Sequence, residues 1–351
     1  MNTVIIGCGR VSEHYKKIFS ISKRIQKIKI IAVCDKDFNK AKSLSNFFNA
    51  KPYASIDELL LNENMIDTAI ILTPSGLHFD HIKIFLSKGI NVISEKPTTM
   101  NPDQSSFLVD ICRDNKVFCA TVFQNRWNSP IKLLKDKVSN NELGKLLLIN
   151  VKLHWCRFQE YYNDGWHGTW KLDGGVLNQQ AIHHVDAMRW IFGPVKEVFA
   201  LKSTLVNKLE AEDTLVANIK FENEALGTID LTTAARPKDL EASISVIGTK
   251  GNIKIGGIAL NKIDEWYLPS DKRSVDEIKS SYSYEVDSGY GWSHEDFLIQ
   301  VLDCFEKKIS PEVNLNSSID TQNLIHAIYA STELKKLVYL KDKPRSKLLG
   351  V

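Results

Sequence analysis

Apolar and polar positions keep two different rhythms along the chain. Over the first 122 residues, short apolar runs alternate with helical spacings. The runs fall at 3–6, 29–34, 67–74, 91–94 and 117–122, the third ending in a polar turn. Between them, 14–24 (Tyr15, Ile18, Phe19), 38–49, 78–88 and 102–115 carry apolar residues every three or four positions, the period of a helix with one buried face. A shorter helix is predicted at 56–60, with Ser55 or Asp57 as its cap. Short continuous runs suit strands covered on both faces. Their alternation with helices predicts a parallel, doubly wound sheet.

After Gln124-Asn125-Arg126-Trp127 the rhythm changes. A helix at 129–138 leads into β-rich stretches at 145–158, 195–205, 214–221, 225–233, 242–247 and 252–255. Many of these alternate apolar with polar residues, which predicts an antiparallel sheet with one wetter face. Helices at 293–307 and 318–336 close the chain. The fold class is α/β, with a parallel sheet domain over 1–122 and an α/β domain over 123–351 built on a large, mostly antiparallel open sheet. An open sheet with a free face is a common contact between copies, so a homodimer or homotetramer is expected.

Composition narrows the function. The chain has 351 residues and 43% hydrophobic content, enough for two full cores. A net charge of +3 with mixed signs gives no electrostatic case for nucleic acid or membrane partners. Cysteines at 8, 34, 112, 119, 156 and 304 form no CxxC and no metal-ligand spacing. They read as small apolar residues of a reducing cytoplasm. No apolar run approaches the ~20 residues of a membrane span. The first residues read as a strand, not as a signal peptide.

The candidate chemistry begins at the first strand, which ends in Gly7-Cys8-Gly9-Arg10-Val11-Ser12. A first glycine serves a tight turn. A second lets a pyrophosphate approach the backbone at a helix start. Ser12 stands where the usual fingerprint has its third glycine, and is small enough to pack closely. The second strand ends in Asp35, placed to accept from ribose hydroxyls and to repel a 2′-phosphate, which favours NAD over NADP. Lys36 and Lys40 lie nearby and soften that preference. An ordinary strand–turn–helix and a surface carboxylate would leave the same letters.

Ligands of such sheets bind beyond the carboxyl ends of the strands. There stand Thr73-Pro74-Ser75 with His78, Glu95-Lys96-Pro97, and Gln124-Asn125-Arg126. A lysine at such an end, beside a cationic nicotinamide and partly desolvated, has its ammonium form disfavoured. It could take a hydroxyl proton as hydride leaves the carbon. Alternatively it anchors a phosphate or pairs with Glu95. A second cluster spans 157–186. Arg157, Tyr161, Tyr162 and Trp166-His167-Gly168-Thr169-Trp170 mix rings with hydrogen-bonding groups, as a sugar pocket needs. Asn178-Gln179-Gln180-Ala181-Ile182-His183-His184-Val185-Asp186 reads as a helix start, with Gln179 and His183 on one face. Asp186 is placed to orient His183, and His184 points elsewhere as a structural residue. No metal site is expected.

These motifs together resemble the Gfo/Idh/MocA family of nicotinamide-dependent sugar and polyol dehydrogenases, over nearly the whole chain. The resemblance rests on Gly7-Cys8-Gly9-Arg10, Thr73-Pro74 with His78, Glu95-Lys96-Pro97, Gln124-Asn125-Arg126, and the glycine pair leading to His183-x-x-Asp186. It implies an NAD-binding Rossmann domain at 1–122 and a domain for substrate binding and oligomerisation at 123–351. It implies a catalytic Lys96 helped by His183. The cofactor would meet Gly7, Cys8, Gly9, Arg10, Val11, Asp35, Lys36, Thr73, Pro74, Ser75, His78, Glu95, Lys96 and Gln124. The substrate would meet Lys96, Arg126, Arg157, Tyr161, Trp166, Thr169, Asn178, Gln179 and His183.

One departure is informative. Many members carry an aspartate four residues before the histidine, where this chain has Gln179. The chain instead resembles the WlbA-like UDP-N-acetyl-2-amino-2-deoxyglucuronate 3-dehydrogenase branch. That branch has a comparable Arg-x-x-x-Tyr-Tyr stretch, a Trp-x-Gly-Thr-Trp element and an Asn-Gln before the histidine. The expected reaction is oxidation of a ring hydroxyl, at C3, of a nucleotide-linked sugar by NAD. Two rivals are a glycosidase that oxidises its sugar only transiently and a non-enzymatic dinucleotide-sensing protein.

Overall fold

The structure is a computed structural model that describes residues 1–22, 24, 25 and 27–351. In chain order its elements are β1 (Asn2–Ile6), α1 (Arg10–Ile21), β2 (Lys29–Cys34), α2 (Phe38–Phe48), β3 (Lys51–Tyr53), α3 (Ile56–Asn62), β4 (Thr68–Ile71), α4 (His78–Ser87), β5 (Asn91–Ser94), α5 (Pro102–Asn115) and β6 (Cys119–Thr121). There follow α6 (Ser129–Ser139), β7 (Leu146–His154), α7 (Val176–Gln179), α8 (Ile182–Phe192), β8 (Val195–Ser203), β9 (Thr214–Phe221), β10 (Leu226–Thr232), β11 (Glu241–Gly248), β12 (Asn252–Gly256), β13 (Lys262–Tyr267), α9 (Val275–Tyr282), α10 (His294–Glu306), α11 (Leu315–Leu334) and β14 (Val338–Tyr339). The chain divides into two compact units, Met1–Val122 with His294–Ile319, and Phe123–Ser293 with Asp320–Val351.

In the first unit, six parallel strands run in the order β3-β2-β1-β4-β5-β6. The order reverses between β1 and β4, so their carboxyl ends flank the crevice where such sheets take ligands. β1 pairs Ile6 with Cys34 on one side and with Ile71 on the other. Val4, Ile6, Ala69, Ile71, Val92 and Leu108 are buried in its core. Burying one such aliphatic side chain contributes about 1.5–3 kcal/mol.

Two expectations change in this unit. The first helix spans Arg10–Ile21, not 14–24. It starts as soon as Gly9 turns the chain. It ends because the Ser22 hydroxyl accepts from the Arg24 and Ile25 amides at 3.1 and 3.2 Å, an alternative to the helical bonds. The second change is that His294–Ile319 belongs here and not with the later chain. Phe305 of α10 stacks on Phe118, the Thr121 amide donates to Val313 at 2.8 Å, and Leu315 enters the core. By contrast α5 begins and ends as the spacing predicts. Asn101 caps it, Pro102 takes the first turn, and Lys116 closes it in the left-handed region.

The second unit carries eight strands in the order β13-β12-β11-β7-β10-β9-β8-β14. All pairs are antiparallel except β7 with β10. α6, α7 and α8 lie against one face of this sheet. The opposite face leaves Leu201, Val216, Leu226 and Ile247 exposed. Among the described residues no helix is long and apolar enough to cross a membrane.

Candidate active site

The glycine turn after β1 is shaped from both sides. Gly7 has φ +98°, and a Cβ there would stand 2.8 Å from the Leu72 carbonyl and the Thr73 nitrogen. Only glycine fits that approach. The Cys8 amide donates to Asp35 Oδ2 at 2.7 Å and the Asp37 amide to Oδ1 at 2.8 Å, so the acid at the end of β2 is tied to the turn. Gly9 is the N-cap of α1 and no side chain caps that helix. A Cβ on Gly9 would meet nothing within 4 Å, so the turn opens outward there. Uncapped helix amides beneath open space, next to a carboxylate, fit the pyrophosphate and ribose of a dinucleotide. Ser12 is buried and its hydroxyl donates to the Gly9 carbonyl at 2.6 Å, so it takes the packing role of a third glycine. A Gly9→Ala protein is expected to melt as the natural chain does and to bind NADH roughly tenfold or more weakly. Fluorescence titration beside a thermal melt reads both.

At the ends of β4 and β5, the side chains divide between support and access. His78 is buried, with Nδ1 at 2.7 Å from the Pro97 carbonyl and Nε2 at 2.7 Å from the Thr73 carbonyl. Burial pushes its pKa down to about 4. It therefore ties the turn after β4 to the turn after β5. Ser75 is buried as well. Glu95 is buried, accepts from the Tyr15 hydroxyl at 3.2 Å, and receives the Lys96 amide at 3.3 Å. Burial pushes its pKa up. From Val92 to Met100, Lys96 is the one residue not classed as buried.

In the second unit, Arg157 lies between two rings, 4.7 Å from the centre of Trp155 and 5.8 Å from that of Tyr161. Its Nη1 donates to the Cys156 carbonyl at 2.8 Å and to Asp239 at 3.3 Å. His167 stacks at 3.7 Å on Trp166 and 4.4 Å from Tyr161, and its Nδ1 meets Asp164 at 2.5 Å. Thr169 donates to the Trp166 carbonyl and accepts from the Leu172 amide, so its hydroxyl shapes the loop. Asn178 donates to the Asp173 carbonyl at 2.7 Å and is buried against the Gly174 turn. Thr169 and Asn178 thus brace the 166–178 loop.

The predicted single helix from Asn178 to Asp186 is broken. α7 ends at Gln179, and the Gln180 and Ala181 amides both turn back to the Val176 carbonyl. α8 then begins at Ile182. Gln179 and His183 therefore do not share a helix face. From Asp173 to Met188, His183 is the one residue not classed as buried, and the Phe123 ring meets it edge-on. Asp186 was expected to orient His183. It instead holds Arg126 through Nε and Nη2 at 2.7 and 2.6 Å, and accepts from Thr321 at 2.8 Å. Arg126 is 3% exposed, so it is a buried clamp on Asp186. Gln124 is buried, and its side-chain oxygen has no hydrogen-bond partner among the described residues. His184 is fully packed, edge-on to Trp155.

Two supports escaped the sequence reading. Asp164 and His167 stand three apart, a spacing that could have been found. Glu212 has no such signal. It is buried under Gly175 and accepts from the Leu177 amide at 3.1 Å and the Tyr329 hydroxyl at 2.9 Å. Burial pushes its pKa up to about 7 from 4.5. The neutral carboxyl therefore stabilises the fold fully below pH 4.5, and that contribution is lost as pH rises through about 7. In urea melts, Glu212→Gln is expected to flatten the fall in stability of the natural chain between about pH 5 and about pH 8.

Two models of one oxidoreductase family match the chain. The one described as an NAD-binding Rossmann fold matches residues 1–123, and the one described as a C-terminal alpha/beta domain matches 135–340. The uncharacterized oxidoreductase YrbE of Bacillus subtilis (strain 168) is 30% identical over 255 residues, 71% of this chain and 72% of that one. Glucose-6-phosphate 3-dehydrogenase of the same organism is 25% identical, over 71% of this chain and 73% of its own. Among solved structures, the WlbA dehydrogenase of Bordetella pertussis, in complex with NADH and UDP-GlcNAcA, is similar with a TM-score of 0.90 and 31% identity, covering 97% of each chain.

Proposed function

The chain belongs to the Gfo/Idh/MocA oxidoreductase family, whose amino-terminal part is an NAD-binding Rossmann fold, and from that membership we propose that it oxidises the C3 hydroxyl of a UDP-linked N-acetylamino-sugar acid. Support comes from the WlbA structure, which carries UDP-GlcNAcA, and from the curated 3-dehydrogenase relative. The observation that carries the chemistry is local. In each unit one titratable side chain of the expected type, Lys96 or His183, stands accessible in an otherwise buried run.

NAD, held by the glycine turn and Asp35, would supply the acceptor for the hydride of the ring carbon. The chain's own groups handle the rest. The Lys96 amine takes the hydroxyl proton, and the His183 imidazole orients that hydroxyl. Gly9 and the uncapped start of α1 hold the pyrophosphate, and Asp35 accepts from the ribose hydroxyls. Arg157, held between Trp155 and Tyr161, meets the sugar carboxylate or the diphosphate as a charge-assisted donor. The exposed face of the eight-stranded sheet joins copies of the chain. Sedimentation is expected to give a dimer or tetramer, and a monomer at assay concentration contradicts that.

The test mixes pure protein and NAD with UDP-N-acetylglucosaminuronic acid, UDP-N-acetylglucosamine and free N-acetylglucosamine. NADH should accumulate fastest with the acid. No NADH with any UDP-sugar overturns the reading. Consumption of sugar without lasting NADH would assign transient oxidation and bond cleavage instead.

A further inference from the structure

The first unit buries more ionisable groups beside Lys96 than proton abstraction requires. Glu95 and His294 are buried, and His14 is partly exposed. His294 Nε2 lies 3.9 Å from Glu95 Oε1, and His294 Nδ1 lies 3.2 Å from His14 Nε2. The rings of His14 and His294 meet edge-on at 4.5 Å. The Tyr15 hydroxyl holds Glu95 Oε1 at 3.2 Å, and the Lys96 amide holds Oε2 at 3.3 Å. Three elements, the end of β5, α10 and α1, thus bring one acid and two imidazoles into a row that begins at the residue next to Lys96 and ends toward solvent.

Packing does not call for this row. Apolar side chains of the same volume would fill the space without the loss of hydration that buried ionisable groups suffer. Burial and Lys17 favour neutral His14, burial and His14 favour neutral His294, and burial raises the proton affinity of Glu95 while the Lys96 charge lowers it. Glu295, next to His294, is turned to the Ser22 hydroxyl at 2.6 Å. Among the described residues, Tyr15, Lys17 and Lys96 face the row.

We propose that Glu95, His294 and His14 form the path by which the proton taken up at Lys96 reaches solvent. The inference rests on Lys96 as the base. Oxidation of the alcohol sends a hydride to NAD and the hydroxyl proton to Lys96 Nζ. The ammonium gives a proton to the Glu95 carboxylate, a turn of which closes the gap to His294 Nε2. His294 accepts there and releases its Nδ1 proton to His14 Nε2. His14 releases its Nδ1 proton to water, and ring turns restore the tautomers. One proton leaves per alcohol oxidised, and every group returns to its starting charge.

Two measurements decide the matter. In weak buffer with NAD and UDP-N-acetylglucosaminuronic acid, a pH dye follows proton release while absorbance follows NADH. In His14→Gln and His294→Gln proteins, proton release should lag NADH formation by roughly tenfold or more, and added imidazole should restore it. Release that keeps pace in both variants overturns the path. The second measurement needs no turnover. Nitrogen–nitrogen scalar coupling in the labelled protein should join His14 Nε2 to His294 Nδ1 and vanish in either variant, and its absence from the natural chain also overturns the path. Lys96→Ala separates the two claims. If that protein keeps its turnover, the base assignment falls. If it loses turnover while both histidine variants release protons on time, the path alone falls.

Discussion

A Lys96→Ala protein is expected to fold and to oxidise its sugar roughly a hundredfold or more slowly. The expectation follows from where the residue stands. The turn after β5 is held by groups other than the lysine side chain. His78 holds the Pro97 carbonyl, Glu95 takes the Lys96 amide, and Thr98 is tied to Thr121 and to Ser318. Truncating a partly exposed side chain on a turn so braced leaves the fold in place. What goes is the amine proposed to receive the hydroxyl proton. The loss should appear in kcat. Near-full turnover by the variant on its true substrate would remove Lys96 from the chemistry.

The largest stability effect is expected at Asp186→Ala. Arg126 is 3% exposed, gives two hydrogen bonds to that carboxylate, and lies about equally far from the Phe123 and Trp190 rings, at 5.6 and 5.5 Å. Removing the acid strands a charge that water cannot reach and leaves Thr321 without its acceptor. Breaking a buried pair from one side costs about 3–5 kcal/mol. Replacing both partners with apolar residues of similar size, Arg126→Met with Asp186→Leu, should return most of that stability, because no charge is then buried. Thermal melts of the three proteins test this. A single variant within about 1 kcal/mol of the natural chain would show that the clamp is not what holds the start of α8.

The sheet of the first unit was legible because its strands are continuous apolar runs and its helices keep a regular apolar spacing. Asn101-Pro102 and Lys116 mark α5 to the residue. β3 was not legible, since Lys51-Pro52-Tyr53 is a three-residue edge strand with a proline inside it. α9 was passed over although Ser274 and Glu277 form a capping box, which is a readable sign. The glycine turn and Asp35 were legible because backbone geometry dictates residue type there. The break between α7 and α8 was not, because no proline or glycine marks it. The clamp of Arg126 on Asp186 joins residues 60 apart in the chain, and Glu212 meets Tyr329 across 117. Such pairings are set by the tertiary fold, so spacing along the chain carries no trace of them. That is why Asp186 read as a partner for His183 and not for Arg126.

The proposed function assigns Lys96 and His183 to one substrate hydroxyl. A double-mutant cycle with Lys96→Ala and His183→Ala, read as single-turnover NADH formation, tests it most directly. If both groups handle the same proton, the double variant should be about as slow as the slower single one. If the two losses multiply, each residue acts on its own and the shared-hydroxyl account is wrong.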